Sequence, residues 1–378
     1  MKALKYIYSA AAVLLGLSSC IYSYHADISK ETDPTVVIEG EILVGGTSTI
    51  RLSYLTELGR YTTPNRPQGI AWIEDRDGLR YESSDGEPGG IISIPTETAV
   101  SGKQYRAVVE VDGHSYVSEW LEAAPKPTIT DIHFDSNGRK VSVYVDVDAQ
   151  ECRSGYMGFS YEETWEFHSD FTPEIGIDTT TWTYYDILTL WPYYWCYRSS
   201  SSQQMVLLDY STLDGVETKD YPILSFPATD SRNHRRYSIL VKAFALSQDA
   251  YLYNKQTQEM SDLGGDLFTP EPGTLEGNLT CTSEEGRPVM GLVLAAEITS
   301  KRAFMDNRFL RLSKPDESIL VEVTEDKMPS YFIDLNYRPV HKVKIEDREV
   351  VGWGPHRCIN CLEAGGTQET PEFWNDEE

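Results

Sequence analysis

The sequence predicts an all-β protein built from two antiparallel β-sandwich domains, with one or two short helices. Three observations carry that prediction. Short runs rich in Val, Ile, Thr and Tyr recur along the chain, and several alternate apolar with polar residues, the period of a half-buried strand. Gly, Asp, Asn and Pro separate these runs at the spacing of hairpin turns. Pro125-Lys126-Pro127 stiffens the chain between two stretches, each long enough to bury a core of its own.

The amino end reads as an export signal. Lys2 and Lys5 give a short positive segment, an apolar run follows from Ala10 to Leu17, and Leu17-Ser18-Ser19-Cys20 closes it. A basic start, a short apolar core and a small-residue exit are the parts of such a signal, and the run is too short to span a bilayer. The cysteine at the exit resembles a lipobox. On that reading residues 1–19 are removed and the Cys20 thiol takes up a diacylglycerol, with acyl chains of the palmitate type. Each buried methylene contributes roughly 0.8 kcal/mol, so two or three chains hold a protein at a membrane almost permanently. Residues 20–33 are polar, lack a repeating apolar face and read as a tether.

The first sandwich, of the Ig-like or FN3-like kind, is expected over residues 34–125. Val36-Val37-Ile38 leads past Gly40 to a strand ending at the Gly45-Gly46 turn, and Thr49 to Tyr54 alternates cleanly. Further strands are expected at Ala71 to Ile73, Ile91 to Ile94 and Tyr105 to Val111, the last turning at Asp112-Gly113 into Tyr116-Val117-Ser118. The larger second domain is expected over 128–378. It opens with a hairpin, Ile129 to Phe134 and Val141 to Val147 around Asn137-Gly138, and continues with strands at Tyr156, Met205, Tyr237, Val289 and Ser318. One helix near residues 248–260 follows Ser247, a fitting N-cap, and a cysteine-containing tail ends the chain.

Composition narrows the partners. A formal charge of -26 repels phosphate backbones, so nucleic acid is not expected as a partner. No Asp-x-Asp-x-Asp-Gly loop offers calcium a site, and neither a metal nor a cofactor is expected. Gly-x-Ser-x-Gly, His-Glu-x-x-His, P-loop and dinucleotide patterns are missing, so the expectation is a protein that is not an enzyme.

Lipidation of Cys20 leaves five of six cysteines, an odd number. His356-Arg357-Cys358-Ile359-Asn360-Cys361 invites a metal or a redox reading, but zinc needs further ligands and no βαβ context supports redox chemistry. A staple from Cys196 to Cys358 or Cys361 is the third reading. The densest unusual feature is Thr181 to Tyr197, where eight of seventeen residues are aromatic against 11% for the chain. Tyr and Trp pair a flat apolar face with a polar edge, which suits stacking on sugars or docking a protein. Trp182, Tyr184, Tyr185, Trp191 and Trp195 are therefore the candidate ligand- or partner-binding residues, with packing into the second sandwich as the alternative.

Several segments together resemble a family of Bacteroidetes outer-membrane lipoproteins known as a domain of unknown function, DUF4249. They are Cys358-Ile359-Asn360-Cys361, Gly365-Gly366-Thr367 and Pro371-Glu372-Phe373-Trp374 at the end, with Pro34 to Gly40, Leu246 to Tyr251 and Cys196-Tyr197 before them. The resemblance implies a lipid anchor in the outer membrane and a role beside a TonB-dependent transporter. With the lipobox, the two sandwiches, the aromatic segment and the missing catalytic motifs, the expectation is a non-enzymatic protein that binds a glycan or peptide nutrient, that transporter, or both. Acids begin only at Asp27 after Cys20, so the cell surface and the periplasmic face both stay open. A structural or adhesive surface protein is the alternative, and a hydrolase whose site forms only on folding is the third.

Overall fold

The computed structural model describes residues 34–55, 67–83, 86–150, 152, 154–212, 217–262, 277–306, 315–345 and 348–375. The expected signal peptide 1–19, the expected lipidation site Cys20 and the expected tether 20–33 lie outside the described residues. Thr35 to Glu378 form one compact unit.

Its first part contains β1 (Val36–Val44), β2 (Thr47–Tyr54), β3 (Gly69–Asp75), β4 (Arg80–Glu82), β5 (Ile91–Pro95), β6 (Gln104–Val111), β7 (His114–Ser118) and β8 (Leu121–Glu122). β1, β2 and β5 pair antiparallel in one sheet, while β4, β3, β6 and β7 make the facing one, with β8 also on β6. Alternate residues enter the gap: Val36, Ile38, Ile42, Ile50 and Leu52 meet Ile73, Ala107, Val109 and Tyr116. Each fully buried Ile or Val contributes about 1.5–3 kcal/mol, which is what fixes the strand register. Asp112 and Gly113 take φ of 54° and 76°, the two positive values that a type I′ hairpin needs.

The second sandwich follows with β9 (Thr128–Ser136), β10 (Lys140–Asp148), β11 (Tyr156–His168), β12 (Ile175–Asp178), β13 (Thr183–Asp186), β14 (Trp195–Ser201), β15 (Val206–Asp209), β16 (Glu217–Pro227) and β17 (Arg236–Leu246). β16-β10-β9 is one sheet; β14-β11-β17, with β15 also on β11, is the other. Val141, Val143, Val145 and Val147 face Phe159, Trp165, Tyr237, Ile239 and Val241 across the core. Helix α1 (Gln248–Asp262) starts where expected, with Ser247 Oγ accepting the Ala250 N–H at 3.1 Å. Ala250 and Tyr251 dock it on Phe244, Leu246, Leu294 and Ala296.

The chain then departs from the expected division. β18 (Leu279–Cys281), β19 (Val289–Met290) and β20 (Val293–Glu297) return to the first sandwich. β18 pairs antiparallel with β7, and β19 and β20 pair parallel with the open edge of β1. The expected boundaries 34–125 and 128–378 therefore miss three strands, and the run around Val289 belongs to the other sandwich. A tight turn cannot supply a parallel neighbour, so β1 finds one only from a distant segment, which local periodicity does not reveal.

β21 (Thr299–Asp306) rejoins the second sandwich beside β17. β22 (Val321–Glu322), α2 (Met328–Ile333), β23 (Tyr337–Ile345) and β24 (Arg348–Pro355) complete a smaller layer against β12 and β13. Its core is Ile177, Val323, Met328 and Trp353, so the second region is a sandwich plus a cap rather than one sandwich.

Candidate functional site

The outward faces of β1 and β2 look across a cleft at the second sandwich. Because strand residues alternate, the same pleat that buries Ile38, Ile42 and Ile50 presents Glu39, Glu41, Thr49 and Arg51 to that cleft. Glu162 on β11 and Lys242 on β17 form the opposite wall and pair at 2.6 Å. Tyr253, Asn254 and Gln258 on α1 close one side, and Gln258 Nε2 donates to the Met205 carbonyl at 2.6 Å. The cleft holds about 720 Å³, within the range of small-ligand sites.

Its electrostatics are those of a polar ligand site. Carboxylates, amides and hydroxyls supply acceptors, while Arg51, Lys242 and the amides supply donors. Burial, and then the nearby Glu39, push the Tyr253 phenol above its ordinary pKa, so it stays a neutral donor. Burial and Glu163 do the same for Tyr161, which also lines the cleft. Such a lining offers hydrogen bonds to a hydroxyl- or amide-rich ligand, beside apolar patches from Leu43, Met205, Leu292, Leu294 and Ile298.

The aromatic segment is divided between packing and solvent. Trp182 takes φ +57° at the β12–β13 turn and packs edge-on against Phe332. Tyr184 accepts a 2.9 Å hydrogen bond from Trp353 Nε1. Trp191 donates its indole N–H to the Ile359 carbonyl, and Trp195 lies among His168, Tyr194 and the Arg235 guanidinium. Tyr185 covers Gly176 yet stays 55% exposed. Leu188 and Leu190, which sequence reasoning did not single out, are 91% and 97% exposed on the same stretch. The five chosen residues therefore do not share one binding face: Trp182 and Tyr184 serve the cap core, Trp191 the tail, and Trp195 the edge of β14.

Cys196 and Cys361 are joined in a disulfide with Cα atoms 5.7 Å apart, closing a loop of 165 residues. Chain entropy makes such a closure worth about 5 kcal/mol. Cys361 is thereby withdrawn from metal ligation. Cys358 is buried with Phe171, Leu320, Val340 and Ile359; burial, and then Asp170, push its thiol up to about 11, so it is not a nucleophile near neutrality. The tail motif has a packing role as well. Trp374 is buried against Tyr197 and Phe304, and its carbonyl accepts from Arg236 Nη1 at 2.6 Å.

Two titratable groupings were not legible in the sequence. Glu163 is buried, with Tyr237 donating to it at 2.7 Å and Arg232 Nη2 at 3.3 Å; burial raises its pKa against those partners. His234 stacks on His168 at 4.1 Å, and burial together with that ring lowers its pKa to about 4. Ser283 Oγ lies 3.4 Å from His114 Nδ1, but Glu284 lies 3.5 Å from that same nitrogen. A triad needs the acid and the nucleophile on opposite nitrogens, so these three residues do not form one.

Fold and cleft together define a class: a two-sandwich β-protein with a polar groove between its sandwiches. The family described as a domain of unknown function (DUF4249) matches residues 21–302, and the chain belongs to that family. No curated protein matches the chain. Among solved structures it is similar to a two-domain fibronectin type III segment of chicken tenascin, with 13% identity, 56% of this chain and 89% of that one covered, and a TM-score of 0.15. The FN1–FN3 domains of chicken CNTN1 share 16% identity, with 57% and 62% covered and a TM-score of 0.19. Trypsin-activated alpha-2-macroglobulin from Escherichia coli shares 11%, with 57% and 15% covered and a TM-score of 0.17. At these values the likenesses carry no argument, and the sandwich description rests on the strands themselves.

Proposed function

We propose that this protein is a non-catalytic lipoprotein of the bacterial outer membrane, anchored through Cys20, that holds a glycan or peptide in the inter-sandwich cleft beside a TonB-dependent transporter. The observation that carries the reading is the cleft of about 720 Å³, walled by carboxylates, amides and two tyrosines. Three further features support it. The Leu17-to-Cys20 segment resembles a lipobox, the family resemblance implies membership of a Bacteroidetes lipoprotein group, and Leu188 and Leu190 offer a protein partner two nearly bare apolar side chains.

The test uses the acylated full chain in detergent. Titration with oligosaccharide and oligopeptide panels is expected to find saturable binding that weakens at least about tenfold in the double variant Glu41→Gln/Arg51→Ala, since truncated polar contacts in a ligand site typically cost more than about 1 kcal/mol. Co-purification from native membranes is expected to bring down a transporter. Blank panels and a chain that emerges alone would sink the reading, and recovery in sheared surface fibres would favour an adhesive role instead.

A further inference from the structure

A second polar site lies on the outer face of the β16-β10-β9 sheet, away from the residues of the cleft. Strand alternation puts Ile132 and Phe134 inward and therefore Asp131 and His133 outward on β9. On β10 the inward valines leave Tyr144 and Asp146 outward. Asp131 and Asp146 are direct partners in the ladder, so two carboxylates face each other across neighbouring strands. Like charges in that position repel. Both ladders of β10 shift register next to Asp146, and such bulges re-aim a side chain. The third strand contributes Asp220, whose backbone N–H donates to Asp146 Oδ1 at 2.8 Å. Among the described residues no Lys or Arg pairs with Asp131, Asp146 or Asp220.

His133 settles what the gap can hold. Its Nε2 lies 2.9 Å from Asp220 Oδ1, and its ring stacks on Tyr144 with centroids 5.5 Å apart and planes 20° apart. An ionised carboxylate only accepts, so the proton of a neutral His133 sits on Nε2 and the Nδ1 lone pair is left available. Nδ1 stands 3.8 Å from Asp131 Oδ2, too far for a hydrogen bond. One donor atom each from Asp131, His133 and Asp146 lies within 4.8 Å of the others. Ligands of one zinc-sized ion sit about 2.0–2.2 Å from it and hence roughly 3–4 Å from one another, a spacing these side chains reach by small torsional changes. A carboxylate on the far nitrogen of a ligating imidazole is the usual outer support, fixing tautomer and ring orientation.

We propose that Asp131, His133 and Asp146 bind a divalent transition-metal ion of the zinc type, with Asp220 as the supporting residue of His133. The ion removes the Asp131–Asp146 repulsion and clips β9 to β10. One nitrogen and a few oxygens suit zinc or manganese, whereas calcium prefers six to eight oxygens and gains nothing from an imidazole. Sequence reasoning expected no metal because the three ligands come from two strands and show no ligand spacing in the sequence.

The experiment is metal titration of the chelator-treated full chain, followed by calorimetry and thermal unfolding, with Zn²⁺, Mn²⁺, Ca²⁺ and Mg²⁺ as probes. Zn²⁺ is expected to bind near one equivalent and raise Tm. Asp131→Asn and Asp146→Asn should abolish that shift; the latter keeps an oxygen to accept the Asp220 N–H, so the fold is preserved. Asp220→Asn should weaken zinc roughly 10–100-fold. A Zn²⁺ response of equal size in the Asp131 and Asp146 variants, an equal response to Ca²⁺, or no response at all would each overturn the proposal. The last result would leave His133 as a surface ring held by Asp220 and Tyr144 alone. None of these outcomes touches the cleft, so the two readings fail separately.

Discussion

His234 ties stability to pH through one buried ring. Its pKa is lowered from 6.5 to about 4 by burial and by the stacked His168. The unfolded chain takes a proton there once the pH drops below about 6.5, while the folded chain resists until about 4. The stabilisation from this group is therefore complete above pH 6.5 and is lost as pH falls toward 4. The ring keeps some solvent contact, and with screening discounted the loss is on the order of 1–2 kcal/mol. Glu163, with its pKa raised by burial, tilts stability the other way in the acid range, so the informative readout is a comparison of variants. Urea denaturation at pH 7 and pH 5 should show a smaller acid loss in His234→Gln than in the parent chain, and parallel curves would remove the assignment. Neither residue announced itself beforehand. His234 sits in the basic run Arg232-Asn233-His234-Arg235-Arg236, which reads as a solvated turn, and only the arrival of His168 at the end of β11 covers it.

Among the elements, hairpins and the long helix were the most legible. Asp112-Gly113, Asn137-Gly138 and the Ser247 cap each state their conformation within a few residues, because turn and cap chemistry is local. The parallel ladder on β1 was not legible, and it depends on a single close approach. Gly291 adopts φ +113°, and a Cβ there would lie 1.9 Å from the Ile38 carbonyl oxygen. Gly291→Ala must displace β19 and β20 from β1, so a loss above about 2 kcal/mol is expected in the denaturant midpoint. Gly286→Ala is the control, since φ is +78° but nothing lies within 4 Å of the added carbon; it should cost about 1–2 kcal/mol from backbone conformation alone. Equal losses in the two variants would mean that the strand contact contributes little. The candidate site follows the same division: the aromatic segment was visible as composition, but the cleft draws on β1, β2, β11, β17 and α1, a convergence that no spacing in the chain encodes.

For the whole molecule, the two sandwiches are interleaved in sequence. β18, β19 and β20 belong spatially to the first and are reached only after all of β9 to β17. A fragment covering residues 34–127 therefore keeps β2 beside β1 and β6 beside β7 but lacks the late partner of each, with the core uncovered at Val293 and Leu279. It is expected to show strand signal by circular dichroism but no cooperative thermal transition. A sharp two-state melt would show that the first sandwich stands without its late strands. The Cys196–Cys361 link and the Trp374 contact with Tyr197 tie the opposite end of the chain to β14, so both ends are secured by distant segments.

This interleaving has a kinetic side. A polypeptide emerging amino end first, from a ribosome or through a translocation pore, exposes an unpaired β1 edge until residue 297 has followed. An open strand edge backed by apolar side chains is a template for self-association. The earliest-made strands thus stay unsealed until all of β9 to β17 have been made, and the interval invites a holding chaperone that shields β1 until its late neighbours arrive.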